Sequence, residues 1–146
     1  MQITILQDTL QAALTTVARA VPTRSTLPVL SNVYLKATMD GRLQLSATNL
    51  EMGITTWTGA KVTRAGETTI PAKTLAELVA TFPRDVITLD LDERTETLSL
   101  NCGGSKAKIK GVPGVEFPPM PETEMDGALE FDGAMFRDVV RQTVFS

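Results

Sequence analysis

The chain has 146 residues, 42% apolar and 21% charged, with a net charge of −3. That length suits one domain with a proper core, or one domain and part of another. The negative balance excludes a surface that is basic all over, of the kind that coats nucleic acid, and leaves room only for a local basic face. Histidine is absent, which removes the commonest general base and the commonest neutral metal ligand. No apolar run approaches the roughly 18 residues of a membrane span, and the start Met1-Gln2-Ile3-Thr4 has neither the basic residues nor the apolar stretch of a signal peptide. Cys102 is the single cysteine, so no internal disulfide forms and a cytoplasmic location is expected.

Ile3-Thr4-Ile5 alternates and predicts an opening strand. Leu10, Ala13, Leu14 and Val17 then recur at helical steps, with Asp8 placed as N-cap and Gln11 three residues on, as in a capping box. Residues 33–37 alternate, Asp40-Gly41 turns, and Leu43-Gln44-Leu45 returns as a hairpin. Leu75, Leu78, Val79 and Phe82 repeat the helical spacing, with Pro71 near the start and Pro83 just past the end. Residues 86–91, 98–100 and 107–109 alternate again, separated by turns at 93–96 and at Gly103-Gly104.

These elements repeat. A shift of 65 residues lays Thr4-Ile5 on Thr69-Ile70, and Leu10, Ala13, Leu14 and Val17 on Leu75, Leu78, Val79 and Phe82. Each half is predicted as β-α-β-β-β, and two such halves form an α+β domain with a pseudo-twofold axis, its helices on one face and its antiparallel sheets on the other. A third start follows: Leu129-Glu130-Phe131 matches Ile3-Thr4-Ile5 as a strand, and Phe136, Val139 and Val140 match Leu10, Ala13 and Leu14. Between them, residues 113–121 hold four prolines and residues 122–127 are polar, the composition of a domain boundary. A strand and helix cannot bury their apolar face alone, so the third start is expected to be part of a longer tandem array.

Few residues can carry covalent chemistry. Asp90, Asp92 and Glu93 could hold a hard cation, but Asp90 and Asp92 alternate with Ile87, Leu89 and Leu91, as on a solvated sheet face. Cys102 has no CxxC partner, Gly103-Gly104-Ser105 lacks the lysine of a phosphate loop, and Ser31 and Thr26 have no base to activate them. The helix faces turned away from the core are polar and small: Gln11, Thr15, Thr16 and Arg19 on the first, Lys73, Ala76, Glu77 and Ala80 on the second. If the repeat turns both to one side, Arg19, Arg24 and Lys73 share a surface on which Asp8 and Glu77 are the nearby acids. Such segregated charge can hold DNA loosely. An α+β protein-interaction module without a DNA role, and a carboxylate metal enzyme centred on Asp90 and Asp92, are also compatible with these residues.

The runs RSTLPVLSNVYLKA from Arg24, LQLSATNLEMGI from Leu43, TIPAKTLAELVATFP from Thr69 and GVPGVEFPPMP from Gly111 closely resemble the β subunits of bacterial DNA polymerase III, the DNA sliding clamps. The resemblance runs in order through essentially the whole chain. It implies the DNA clamp fold, with residues 1–122 as a first clamp domain and 123–146 as a linker and the truncated start of a second, hence an N-terminal fragment. In that family, three domains form a crescent and two crescents close head to tail into a ring whose hole is lined by helices. The implied role is not enzymatic and needs no cofactor or metal. The ring encircles double-stranded DNA without sequence preference and tethers DNA polymerase III, and the clamp loader is a further partner. Arg24 then projects toward DNA and Lys73 stands where the family carries a basic residue, with Arg19, Gln11 and Thr15 on the same face. The ring-closing edge is carried over to Thr74, Leu78 and Phe82 on the second helix and to Lys106, Ala107 and Lys108 on the neighbouring strand. Lys106 matches a basic residue of the family, while Ala107 is smaller than the apolar residue often found there.

Overall fold

The computed structural model describes residues 1–122 and 124–144. Thr123, the first residue of the predicted linker, and the final Phe145 and Ser146 lie outside the described residues. The first half comprises β1 (Gln2–Leu6), α1 (Gln7–Ala18), β2 (Asn32–Thr38), β3 (Arg42–Thr48), β4 (Gly53–Gly59) and β5 (Lys61–Arg64). The second comprises β6 (Gly66–Pro71), α2 (Ala72–Thr81), β7 (Val86–Asp92), β8 (Thr97–Cys102) and β9 (Ser105–Lys110). The repeat therefore holds element by element, with one addition. Each half also carries a further outer strand, β5 beside β1 in the first and a single bridge from Val112 to Thr69 of β6 in the second. Lys61-Val62-Thr63-Arg64 is too short and too polar to announce itself by periodicity.

The two halves exchange their opening strands. One sheet has the order β5-β1-β7-β8-β9 and the other β4-β3-β2-β6, all antiparallel. Thus β1 pairs with β7 of the second half, Ile3 opposite Leu89, and β6 pairs with β2 of the first, Ile70 opposite Val33. Alternation along each strand sends Ile3, Ile87, Leu89 and Leu100 inward from one sheet and Val33, Leu35, Leu45 and Ile70 from the other. They meet Leu10, Leu14 and Val17 of α1 and Leu75 and Val79 of α2 in one contiguous core. Full burial of each such side chain is worth about 1.5–3 kcal/mol.

The helix starts are set by the strands that feed them. β1 runs straight into α1, whose preceding residue Leu6 offers no side-chain cap. The Gln7 N–H instead donates to Asp85 O at 3.0 Å, so Asp8 is not the N-cap expected from the sequence. Asp8 sits inside the first turn, where its carboxylate still suits the positive end of the helix dipole. Phe82, directly after α2, is only 7% exposed and closes the core at that end.

After β9 the chain crosses the outer face of the four-stranded sheet. Val112 and Thr69 exchange two backbone hydrogen bonds of 2.9 Å. Gly111 is required there, because a Cβ would lie 2.5 Å from Thr69 O. Further along, Phe117 stacks on Tyr34 with ring centroids 5.4 Å apart, and the Tyr34 hydroxyl donates to Glu67. Burial first, then this hydrogen bond and the Glu67 charge, push the Tyr34 hydroxyl well above its ordinary value of 10.0.

The third start behaves differently. Asp132 caps α3 (Gly133–Val144), its Oδ1 accepting the Met135 N–H at 2.9 Å. Every described residue of α3 is exposed, including Phe136, Val139 and Val140. Leu129, Glu130 and Phe131 do not form the predicted strand, because a strand needs a neighbour to take its backbone groups and none is present among the described residues; Phe131 rests against Phe136 instead.

Replacing Gly111 by Ala should lower stability by about 1–3 kcal/mol in urea unfolding, whereas Gly59→Ala, with nothing within 4 Å of the new Cβ, should change it by less than about 0.5 kcal/mol. Phe82→Ala should cost about 3–5 kcal/mol, against less than about 0.5 for the exposed Thr74→Ala. Because the folded Tyr34 hydroxyl titrates above its unfolded value of 10.0, its contribution is complete below that pH and fades as pH rises toward the folded value. Urea midpoints should therefore fall more steeply above pH 10 in the parent than in Tyr34→Phe.

Candidate nucleic-acid interface

The two helices lie side by side in opposite directions. The Gln7 side chain at the entry of α1 donates to Val79 O at the exit of α2 at 2.9 Å, a buried contact to a carbonyl that also accepts the Phe82 N–H at 3.2 Å. At the other end the entry of α2 lies beside the segment that leads from α1 into β2, where Asn32 stands opposite Pro71. Arg19, at the C-cap of α1, and the following loop with Arg24 thus fall on the side of the layer where Lys73 begins α2.

The outward faces are small and polar. Ala12, Thr15, Thr16, Ala18 and Arg19 of the first helix and its cap are exposed, as are Lys73, Thr74, Glu77 and Ala80 of the second. The Thr15 and Thr16 hydroxyls donate to Gln11 O and Ala12 O at 2.9 and 3.0 Å, so each offers a ligand only its lone pairs. Gln11 is half-buried, and its Oε1 has no hydrogen-bond partner among the described residues. The entry of α1 and the exit of α2 leave a groove of about 650 Å³ lined by Asp8, Gln11, Ala12, Thr15, Ala80 and Arg84 among others. Arg84 is the residue of this face that the helical pattern missed; it lies beyond the end of α2, where periodicity no longer assigns a direction.

Arg24 and Lys73 differ in their surroundings. Arg24 is exposed and makes no ion pair or side-chain hydrogen bond among the described residues. Lys73 reaches Glu77 at 4.0 Å, but with side chains 88% and 68% exposed the pair is loose and worth little. Lys73 also occupies the first turn of α2, where a cation opposes the helix dipole by about 0.3–1 kcal/mol. The repeat places Asp8 at the same point of α1, where the charge agrees with the dipole. A basic residue held where the local field disfavours it calls for another explanation.

The carboxylates are used elsewhere. Asp90 pairs with Arg64 at 3.1 Å. Asp92 accepts the Arg94 N–H at 3.0 Å and is held below the ordinary carboxylate range mainly by that bond. Among the described residues no group of three or more His, Cys, Asp or Glu could hold a metal ion. The Cys102 thiol is buried and pushed upward, chiefly by desolvation. No helix among the described residues is long and apolar enough to cross a membrane.

Of the residues assigned to the ring-closing edge, Thr74, Lys106 and Lys108 are exposed, Leu78 and Ala107 are half-buried, and Phe82 is buried in the core. β9 is one edge of the five-stranded sheet, with Lys106, Lys108 and Lys110 alternating with Ala107 and Ile109.

Comparison with known proteins agrees with this geometry. A family model described as DNA polymerase III beta subunit, N-terminal domain, matches residues 1–121. The beta sliding clamp of Synechococcus elongatus is 36% identical over the whole chain, and that of Synechocystis 32%; the chain spans 39% of the length of each. The crystal structure of a DNA polymerase sliding clamp from Caulobacter crescentus superposes with a TM-score of 0.79 at 34% identity, covering 84% of this chain and 33% of that one. The DNA polymerase III beta subunit of Pseudomonas aeruginosa gives 0.78 at 31% identity, covering 84% and 33%. Repeat, strand order, helix layer and sequence together place the chain in the DNA polymerase III β-subunit family, whose N-terminal domain it carries.

Proposed function

We propose that this chain forms part of a ring-shaped sliding clamp that encircles duplex DNA in the cytoplasm and tethers a replicative polymerase to it. One observation carries the proposal: two antiparallel helices present a small, polar face with Arg24 unpaired and Lys73 loosely paired, while most acids of residues 1–121 sit on strands and the turns between them. The names of the relatives support it.

The mechanism follows from scarcity. Arg24 meets a phosphate through its planar N–H fork and Lys73 as a point charge, and Arg19, Gln11 and Thr15 complete the face. Phosphate contacts carry no sequence information, so every register of the duplex is equivalent. Few contacts give shallow binding, and a shallow potential lets the duplex slide. Retention then depends on ring closure rather than on affinity. Residues 1–122 act as the first clamp domain, and residues from 123 onward lead into a second whose remainder would cover the apolar side of α3. The ring closes head to tail with a second subunit along α2 and the free edge of β9, through Thr74, Leu78, Lys106, Ala107 and Lys108. Phe82 supports that edge from within the core. Polymerase and clamp loader dock on the assembled ring.

The 146-residue chain alone should bind linear duplex with Kd no tighter than about 100 µM at physiological salt, the weak end of non-specific binding. Fluorescence anisotropy with a labelled duplex measures this, and tight binding at that salt would contradict retention by topology. In the complete polypeptide, Arg24→Ala combined with Lys73→Ala should slow loading onto primed circular DNA. Once loaded, the variant should stay on the circle and leave when the circle is cut. Release from the intact circle at the same rate would show that charge, not closure, holds the protein.

A further inference from the structure

We infer that Arg84 is a further phosphate-contacting residue, the twofold counterpart of Arg19 at the opposite end of the helix layer; this rests on the DNA-facing role proposed above. The shift of 65 that relates the halves places Arg19 on Arg84. Arg19 is the C-cap of α1, and Arg84 follows α2 after Phe82 and Pro83. Both are exposed, and neither makes an ion pair or side-chain hydrogen bond among the described residues.

Placement gives Arg84 its target. It lines the groove between the helices together with Gln11 and Thr15 of the proposed DNA face. Ala12 and Ala80 in the same groove are short enough for a phosphate backbone to come close without displacing a large side chain. In an antiparallel pair the two helix exits lie roughly one helix length apart. For the twelve residues of α1 that is about 18 Å, or roughly five base pairs at 3.4 Å each. A basic residue at each exit therefore gives the layer two separated hold points, one shared with Arg24 and Lys73 and one that Arg84 supplies. Asp8 lines the same groove, and Asp85 is adjacent but accepts the Val86 N–H at 2.7 Å. These carboxylates keep the second hold point weak, as sliding requires.

A competing role is local: a cation past a helix end favours the negative end of its dipole. Salt dependence separates the two. Anisotropy of a labelled duplex with the 146-residue chain would be followed between about 50 and 200 mM salt, where each phosphate contact contributes about 0.9 to the logarithmic slope. Arg84→Ala should lower that slope by about one and weaken binding about tenfold at the low-salt end. Arg84→Lys should keep the parent slope, and urea midpoints of all variants should coincide. If Arg84→Ala keeps the parent slope while Arg24→Ala lowers it, the DNA face stands and Arg84 is not on it. If the parent itself shows no salt-dependent binding at the low-salt end, the DNA-facing role falls and the assignment of Arg84 falls with it.

Discussion

The pairing of β1 with β7 and of β6 with β2 is the constraint on which the rest of the molecule depends. Each half gives its opening strand to the sheet that carries the other half's hairpins. Neither half can then complete a sheet or cover its helix alone, so two duplicated units become one domain with one core. The pairings join residues far apart in sequence, such as Gln2 with Asp90 and Asn32 with Pro71. Contacts of that span pay chain-closure entropy before they return packing energy.

The same exchange fixes where the helices go. Each opening strand runs directly into its helix, so the swapped strands carry α1 and α2 onto neighbouring tracks across the core. Their apolar stripes are consumed by the sheets and by each other, which leaves only the small polar face for an external partner. That face is sparse in charge, and one of its cations, Lys73, sits against its own helix dipole. A domain that needed tight binding would carry more positive groups there. One that must let a duplex pass needs few.

Much of this was legible in the chain itself. Apolar spacing located both helices, the Asp40-Gly41 and Gly103-Gly104 turns located hairpins, and the 65-residue offset exposed the duplication. The errors share a cause. Asp8 looked like an N-cap because the local pattern allows it, but the backbone oxygen that meets the Gln7 N–H belongs to Asp85, 78 positions away. Residues 129–131 have strand periodicity and no partner strand among the described residues, and periodicity cannot report a missing neighbour. Phe82 continues a helical stripe that suits either a core or an edge, and only its packing assigns it to the core.

By itself, then, the sequence determined the elements, their order and their duplication, because side-chain period and turn chemistry are local properties of the backbone. The tertiary structure decided which half each strand joins, which helix face stays open and which cations remain unpaired. Those outcomes depend on hydrogen bonds and burial between segments distant along the chain. Arg24 shows the difference: its charge was visible from the start, but its lack of an acidic partner among the described residues is a property of the folded surface alone.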